Sequence, residues 1–524
     1  MSTSVAEPMA DKGLKGGSLG LVAVIVIGVA STAPGYSLAA SVGYVSDEVG
    51  VKAPFIMLAA FIPMGCIAAA FYYLNKADPD CGTNFTWGVR SFGPKAGWIA
   101  GWGCIVADLV IMPNLAGVSG QYLLLLFDED LANNIWLVTT IGILFIIAMT
   151  WICWKGIELS ARSQVILLTT ELAVLVIFAI VALAKAFSGT SETVDVDGVA
   201  TTYNSVKPSL SWLWPSGLST SAITAGLVVA VFIYWGWDTC VSVNEEAKDS
   251  SKTPGRAAVL STLILLGIYL IMAFGSVAML GPDFVTDNAD EAIYALGVVA
   301  MPNWFVKLLV IAVLTSAAAS CQTTILPATR TMLSMGSHGA APPILARIDP
   351  KRLTPDYSTW LFGIGSIIWY VALVVVSNNT DIQAYDASIA AVGMAIAVYY
   401  GLSGVSCIIY YRRYLTQSAK NFVLIGVLPA IGAVVLLFVF FKTVWDARNA
   451  AYDYGTVFGG VGTVLVFGTG LLVLGVPLMM WCSMKYPKFF TYRPDPADLV
   501  KDPYADDTLA APLGTYTKEH RRGR

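Results

Sequence analysis

The stretch Ala30-Ser31-Thr32-Ala33-Pro34-Gly35-Tyr36 lies in the middle of an apolar run long enough to cross a bilayer. Proline there removes a backbone donor and clashes with the preceding turn, and the glycine beside it tolerates backbone angles that other residues avoid. The sixth long apolar run is interrupted in the same way, at Tyr234-Trp235-Gly236-Trp237-Asp238. Hydrophobic segments broken at corresponding places in two halves mark the inverted repeats of secondary transporters, with the binding site at the breaks. Pairing run one with run six predicts two five-helix repeats of inverted topology.

The chain around these breaks has the composition of a membrane protein. Of 524 residues, 56% are apolar and 13% charged, whereas a soluble domain carries about 25% charged residues. A helix needs about 20 apolar residues to cross roughly 30 Å of hydrocarbon. On that scale the spans read 19–41, 53–75, 96–126, 133–154, 161–187, 219–243, 257–280, 303–334, 357–377, 384–411, 420–443 and 456–482. The expected organisation is a tail at 1–18, a first repeat over 19–187, an inverted repeat over 219–411, two appended helices over 420–482 and a tail at 483–524. So much apolar chain leaves no room for a separate soluble domain. The polar start, Met1 to Gly20, leads straight into a full-length span without a small-residue cleavage site, so no signal peptide is expected.

Eight cysteines, at 66, 81, 104, 153, 240, 321, 407 and 482, fall mostly inside spans and lack metal-ligand spacing. They read as small apolar residues. The two histidines, His338 and His520, fall in or beyond loops. No nucleophile motif, phosphate loop or metal-ligand cluster is present, so neither an enzyme nor a cofactor is expected, and nothing points to nucleic acid. The net charge of −4 bears on solubility rather than fold.

Orientation follows from the basic residues. With twelve spans and a cytoplasmic N-terminus, the outer side holds only Lys52, Lys185, Lys207, Lys307, Lys442 and Arg448 of the 31 Lys and Arg. All others face inward, as the positive-inside rule asks. A missed span would invert every loop after it, so the consistency supports the count and places both termini in the cytoplasm. A plasma membrane, bacterial inner membrane in particular, is the expected location.

Between spans two and three runs Phe71-Tyr72-Tyr73-Leu74-Asn75-Lys76-Ala77-Asp78-Pro79-Asp80-Cys81-Gly82-Thr83-Asn84-Phe85-Thr86-Trp87, then Phe92-Gly93-Pro94, Gly97-Trp98 and Gly101-Trp102. This resembles the first cytoplasmic loop of the amino acid–polyamine–organocation superfamily, which reads "P-x-G-G-x-Y-x-W … F-G-P … G-W". Cys81 stands for the first glycine of the pair and Phe85 for the tyrosine. Gly236-Trp237-Asp238, with Glu245-Glu246-Ala247-Lys248-Asp249 and Pro254, is similar to the family's sixth helix and its "E-E-x-K-x-P" exit. Ser316 to Arg330 and Gly339 to Pro343 resemble the eighth helix and its cap. The first helix departs from the family's "G-x-G-x-x-G-x-G-I-F" run, keeping Gly28 and Gly35 with Pro34 as the breaker. The resemblance implies an all-α membrane protein of the leucine-transporter type, a 5+5 inverted repeat with 12 transmembrane helices and substrate beside the breaks.

An α-amino acid brings a carboxylate and an ammonium to mid-membrane. A broken helix offers free N–H groups at one end and free C=O groups at the other. Amides near Ser31, Thr32 and Gly35 are candidates for the carboxylate, with Ala33 and Tyr36 in the same substrate site, and carbonyls near Phe232, Ile233 and Tyr234 for the ammonium; a simple kink is the plainer reading of Pro34-Gly35. Three acids, Asp108, Glu171 and Asp238, lie inside spans, where a charge costs at least about 2.5–3.5 kcal/mol. Glu171 stands where the family pattern "G-x-x-x-S-A-R-x-Q-x-x-x-x-x-x-K", matched from Gly156 through Gln164, has its lysine. The resemblance puts that position against helix 1, where sodium sits in sodium-coupled relatives, so Glu171 is a candidate proton carrier or a hydrogen-bonded tie between helices 5 and 1. Ser316 and Ser320, one turn apart, either share its face or simply pack. Asp238 either binds a cation or braces the break, and Asp108 either lines the pathway or pairs with a polar neighbour. Trp235, Gly236 and Trp237 belong to the break, with the two indoles as gate or pocket wall; Tyr36 and Tyr234 flank the breaks as substrate-site candidates but read more readily as interfacial belt residues. Glu245 and Glu246, near Lys248 and Arg256, form either an inner-gate ion-pair cluster or a solvated loop.

The function expected is a permease for amino acids, proton-coupled or exchanging. A polyamine or related amine, drawn by the three acids, is the alternative, and potassium a weaker third. The partners expected are therefore a small-molecule substrate, a proton and the lipid bilayer.

Overall fold

The computed structural model describes residues 12–196, 199–380, 382–448, 456–457 and 461–493. Met1–Asp11 of the expected N-terminal tail, residues 494–524 of the C-terminal tail and His520 within it lie outside the described residues.

Among the described residues, eleven helices are long and apolar enough to cross a membrane, and a further apolar helix, Thr220–Phe232, is shorter. That short helix is the first half of the expected sixth span; Thr239–Ser242 is the second. The first span is likewise two pieces, Leu21–Ser31 and Pro34–Ala39. The second is Ala53–Ala77, the third Pro94–Leu125, the fourth Ile135–Lys155 and the fifth Ile157–Ser188. The seventh is Thr253–Asp287, bent at Gly281 (φ 87°), and the eighth Asn303–Ser337. The ninth, Asp356–Asn379, and the tenth, Ala384–Tyr410, precede an eleventh over Ala419–Asp446 and a twelfth, Thr463–Lys485.

Boundaries differ from the sequence reading where polar residues are helical. The fifth span begins at Ile157 rather than 161, because Gly156 (φ 148°) turns the chain directly out of the fourth. The twelfth begins at Thr463 rather than 456, after a short strand pair, Thr456–Val457 with Val461–Gly462. The segment after span two holds a helix, Asn84–Phe92, with Asn84 through Arg90 buried. A two-stranded hairpin, Ser191–Val196 with Val199–Asn204, joins spans five and six.

Span three packs along span eight, span two along span seven, span four along span nine, and the two broken spans touch. Each of these partners stands five places from the other in chain order, the arrangement a pseudo-twofold 5+5 repeat produces. Small residues allow the close approaches, as expected for membrane helices. A Cβ on Gly142 of span four would stand 2.9 Å from the Ala116 carbonyl oxygen of span three. Apolar side chains such as Leu144, Ile166, Phe438 and Trp481 point outward and are exposed, the surface a hydrocarbon solvent requires.

Candidate functional site

The first break turns on Ala33, which takes a left-handed conformation (φ 46°) between the half-helices, with Pro34 opening the second. An alanine there costs roughly 1–2 kcal/mol. Pro34 needs no donor at the first helical position. The second break turns on Gly236 (φ 115°). The two breaks meet: a Cβ on Gly236 would stand 2.6 Å from the Ser31 carbonyl oxygen, and the hydroxyls of Ser31 and Thr239 are 2.8 Å apart. Gly28 packs as tightly, its Cβ position lying 2.2 Å from Cys240 Sγ.

Glu171 is fully buried against the first break. Its Oε1 accepts from the Gly35 N–H (2.7 Å) and from Ser316 Oγ (2.8 Å), while the Tyr36 N–H donates to Ser316 Oγ (3.2 Å). Oε2 is buried without a hydrogen-bond partner. Span five thus supplies the carboxyl, span one the amides and span eight the hydroxyl. Ser320, one turn from Ser316, donates instead to the Ser31 carbonyl (2.9 Å). The backbone groups offered by the first break are engaged locally. Thr32 and Ala33 N–H groups donate to Val29 and Ala30 carbonyls, and Ser37 Oγ donates to the Thr32 carbonyl. At the second break the Ile233 carbonyl accepts from Tyr269 Oη (2.6 Å) and the Phe232 carbonyl from the Trp235 N–H (3.0 Å).

Asp238 faces span ten, accepting from Tyr400 Oη (2.9 Å) and Tyr399 Oη (3.2 Å); Trp235 Nε1 donates to Tyr399. Trp237 is buried against Phe71 and Tyr400. Tyr234 is a core residue rather than a belt one, its hydroxyl donating to the Met57 carbonyl (3.0 Å), and Tyr36 donates to Asn114 Oδ1. Phe232 stacks on Trp235. Asp108 on span three is buried within electrostatic reach of Asp238 at the second break, with Cys104 Sγ at 3.8 Å. Neither Asp108 nor Asp238 is in an ion pair among the described residues.

Among the described residues, Glu245 and Glu246 are not in ion pairs with Lys248 and Arg256, which follow them closely in sequence. Glu246 forms a completely buried bidentate pair with Arg330 of span eight (3.0 and 3.1 Å). Glu245 receives Lys12 (2.5 Å), which also reaches Asp80 (2.7 Å). The segment carrying Lys12 is held by backbone bonds from Leu19 N–H to the Glu246 carbonyl (3.0 Å) and from Lys248 N–H to the Leu19 carbonyl (2.9 Å). His338 ends span eight and contacts Asp80 (2.9 Å), with Ser334 Oγ donating to the same carboxylate (2.6 Å). Burial alone would lift the Asp80 carboxyl; Lys12 and then His338 outweigh it and hold it well below the usual range. Burial alone would lower the Lys12 ammonium; Asp80, Cys81 and Glu245 hold it well above its usual value. Asp80, Cys81 and Glu245 are spaced as metal ligands can be, and the Lys12 ammonium occupies the point on which they converge.

Sequence reading missed the partners: Tyr399, Tyr400 and Tyr269 around the second break, Asn114 beside Tyr36, and Lys12 as a plug. A Tyr-Tyr pair at mid-span was the available signal for the first two.

A family model described as amino acid permease matches residues 19–469. The chain is 23% identical over 407 residues to the branched-chain amino acid permease BcaP of Bacillus subtilis, covering 73% of this chain and 81% of that one. It is 23% identical over 454 residues to the low-affinity putrescine importer PlaP of Escherichia coli, covering 85% and 92%. An uncharacterized transporter of Mycobacterium tuberculosis is 24% identical over 453 residues, covering 85% and 91%. Among solved structures, a mutant manganese transporter of Eremococcus coleocola matches with TM-score 0.55 and 14% identity over 93% of this chain and 98% of that one. That match shows the fold, the leucine-transporter type.

Proposed function

Because the chain belongs to the amino acid permease family, we propose that this multi-pass membrane transporter carries amino acids by alternating access and couples their movement to protons through Glu171. The observation that carries the reading is the junction of the two breaks, where the Gly35 N–H is held by a fully buried carboxyl whose second oxygen has no partner. A substrate carboxylate and an ionised Glu171 compete for the Gly35 N–H, and like charges at that distance repel. A proton on Glu171 removes the repulsion and frees the Gly35 amide, so proton and substrate enter together. Ser31, Thr32 and Ala33 then shape the carboxylate end. Phe232, Tyr234, Trp235 and Gly236 frame the ammonium end, with Trp237 below, and Ser316 and Ser320 hold span eight against the first break. The first repeat, 19–187, and its inverted partner, 219–411, move relative to one another, with 420–482 appended. The basic loops support a cytoplasmic position for both termini, in what we take to be a plasma membrane.

A second reading has its own support. Asp108 and Asp238 are buried acids with no ion-pair partner among the described residues, and one relative is a named putrescine importer. These acids suit a substrate amine rather than a carboxylate. Purified protein in liposomes, offered radiolabelled branched-chain amino acids, lysine and putrescine, separates the two. Amino-acid uptake competed by unlabelled amino acid alone supports the first. Putrescine uptake with no amino-acid uptake overturns it and makes Asp108 and Asp238 the substrate site.

A further inference from the structure

Outside the transport site, on the face that carries Lys12, a cavity of about 290 Å³ is lined by Lys15, Lys155, Arg162, Lys351 and Arg352 around the start of span five. Glu158 is its acidic lining residue and is paired with Lys15 (2.8 Å); Arg352 is paired with Asp349 beside the cavity (2.7 Å). Lys155, Arg162 and Lys351 are in no ion pair among the described residues. The net lining charge is therefore strongly positive, with three cations left to be matched from outside.

The backbone adds to this field. Gly156, Ile157, Glu158 and Leu159 form part of the wall, and they begin a helix of 32 residues. The first internal bond of that helix is from Ser160 N–H to the Gly156 carbonyl (3.1 Å), and no side chain caps its start. The uncapped start of the helix thus lies at the cavity wall, where a helix N-terminus favours an anion. Arg352 lies over the Trp154 ring (3.7 Å) and Lys155 over Trp151 (4.9 Å), so the cations stand on an aromatic shelf. Next to the cavity, Trp151, Leu159 and Ile166 are exposed on the apolar sides of spans four and five. A charged pocket with apolar flanks fits a ligand that is anionic at one end and hydrocarbon at the other.

We propose that this cavity binds the phosphate of an anionic membrane lipid, with the acyl chains running down spans four and five. The chemistry is that of basic pockets between transmembrane helices that hold lipid headgroups. Lys15 is three residues from Lys12, so a bound headgroup also fixes the segment that plugs the Asp80–Glu245 cluster.

The test is native mass spectrometry of the full-length protein in detergent, titrated separately with phosphatidylglycerol, phosphatidylcholine and inorganic phosphate. Phosphatidylglycerol binds saturably, and Lys155→Gln/Arg162→Gln/Lys351→Gln weakens it about a hundredfold, from roughly fivefold per basic residue. Phosphatidylcholine and inorganic phosphate bind far more weakly. Lys155→Arg/Lys351→Arg keeps the binding, which separates loss of charge from loss of folding. Unchanged phosphatidylglycerol affinity in the triple variant, or equal binding of phosphatidylcholine, overturns the site. Inorganic phosphate that competes as well as the lipid overturns the lipid as ligand.

Discussion

Gly236→Ala tests the contact between the two breaks. Gly236 sits at φ 115°, and an added Cβ would meet the Ser31 carbonyl oxygen at 2.6 Å and its carbon at 2.8 Å. A backbone conformation of this kind costs a side-chain-bearing residue about 1–3 kcal/mol. The collision adds about 1–3 kcal/mol of overpacking, because the obstacle is backbone and cannot rotate away. The sum is roughly 2–6 kcal/mol, placed where the half-helices must move. Gly28→Ala is the informative comparison, since its Cβ would meet side chains, Cys240 Sγ at 2.2 Å and Ser261 Oγ at 2.8 Å. Shortening Cys240 and Ser261 together to alanine therefore relieves most of the Gly28→Ala collision, and no side-chain change rescues Gly236→Ala. Gly267→Ala, with nothing within 4 Å, is the neutral control. Thermal melting of the purified variants at one fixed scan rate, with initial uptake rates in liposomes, reads all of these. Gly236→Ala melting and transporting like Gly267→Ala would refute the contact.

The ion-pair cluster around Lys12 yields three further tests. Lys12→Gln leaves Asp80 and Glu245 without their shared cation; losing one partner of a buried pair costs about 3–5 kcal/mol. Maleimide labelling of buried Cys81 therefore rises at least about tenfold, measured against a Cys81→Ser blank; an unchanged rate means the plug is not held by charge. Arg330→Met strands the buried Glu246 at a similar cost, and adding Glu246→Leu restores most of the melting temperature. A single variant as stable as wild type would show that the pair is solvated in the protein. For pH, the depressed Asp80 value means its stabilisation is present above the unfolded value of about 3.9 and lost as pH falls below it. The raised Lys12 value means its share is full below about 10.4 and lost as pH climbs beyond it. Asp80→Asn accordingly lowers the melting temperature equally at about pH 7.5 and about pH 9, and a difference between them would place another titrating group in control.

Much of this fold is written in the sequence because a bilayer imposes few choices. Every backbone group must be satisfied within the span, so long apolar runs become helices, and Pro34 and Gly236 stand out as breaks. The acids stand out for the same reason, and Glu171 does lie against the first break. Partners are less visible. Lys12 meets Glu245 across 233 positions and Arg330 meets Glu246 across 84, while the sequence offers the nearer Lys248 and Arg256. Helix rotation decides such pairings, and an apolar run with no polar face leaves rotation unmarked. That is why Tyr399 and Tyr400 were not associated with Asp238, and why Ser320 serves the Ser31 carbonyl rather than Glu171. The helix Asn84–Phe92 escaped because it is stabilised by burial under the spans rather than by its own periodicity.

The most direct test of the account is amino-acid uptake into liposomes with and without an inward proton gradient, for wild type and Glu171→Gln. Wild-type uptake rises with the gradient, and the variant still exchanges substrate but no longer responds. A variant that keeps the full response would contradict the assignment of the proton to Glu171.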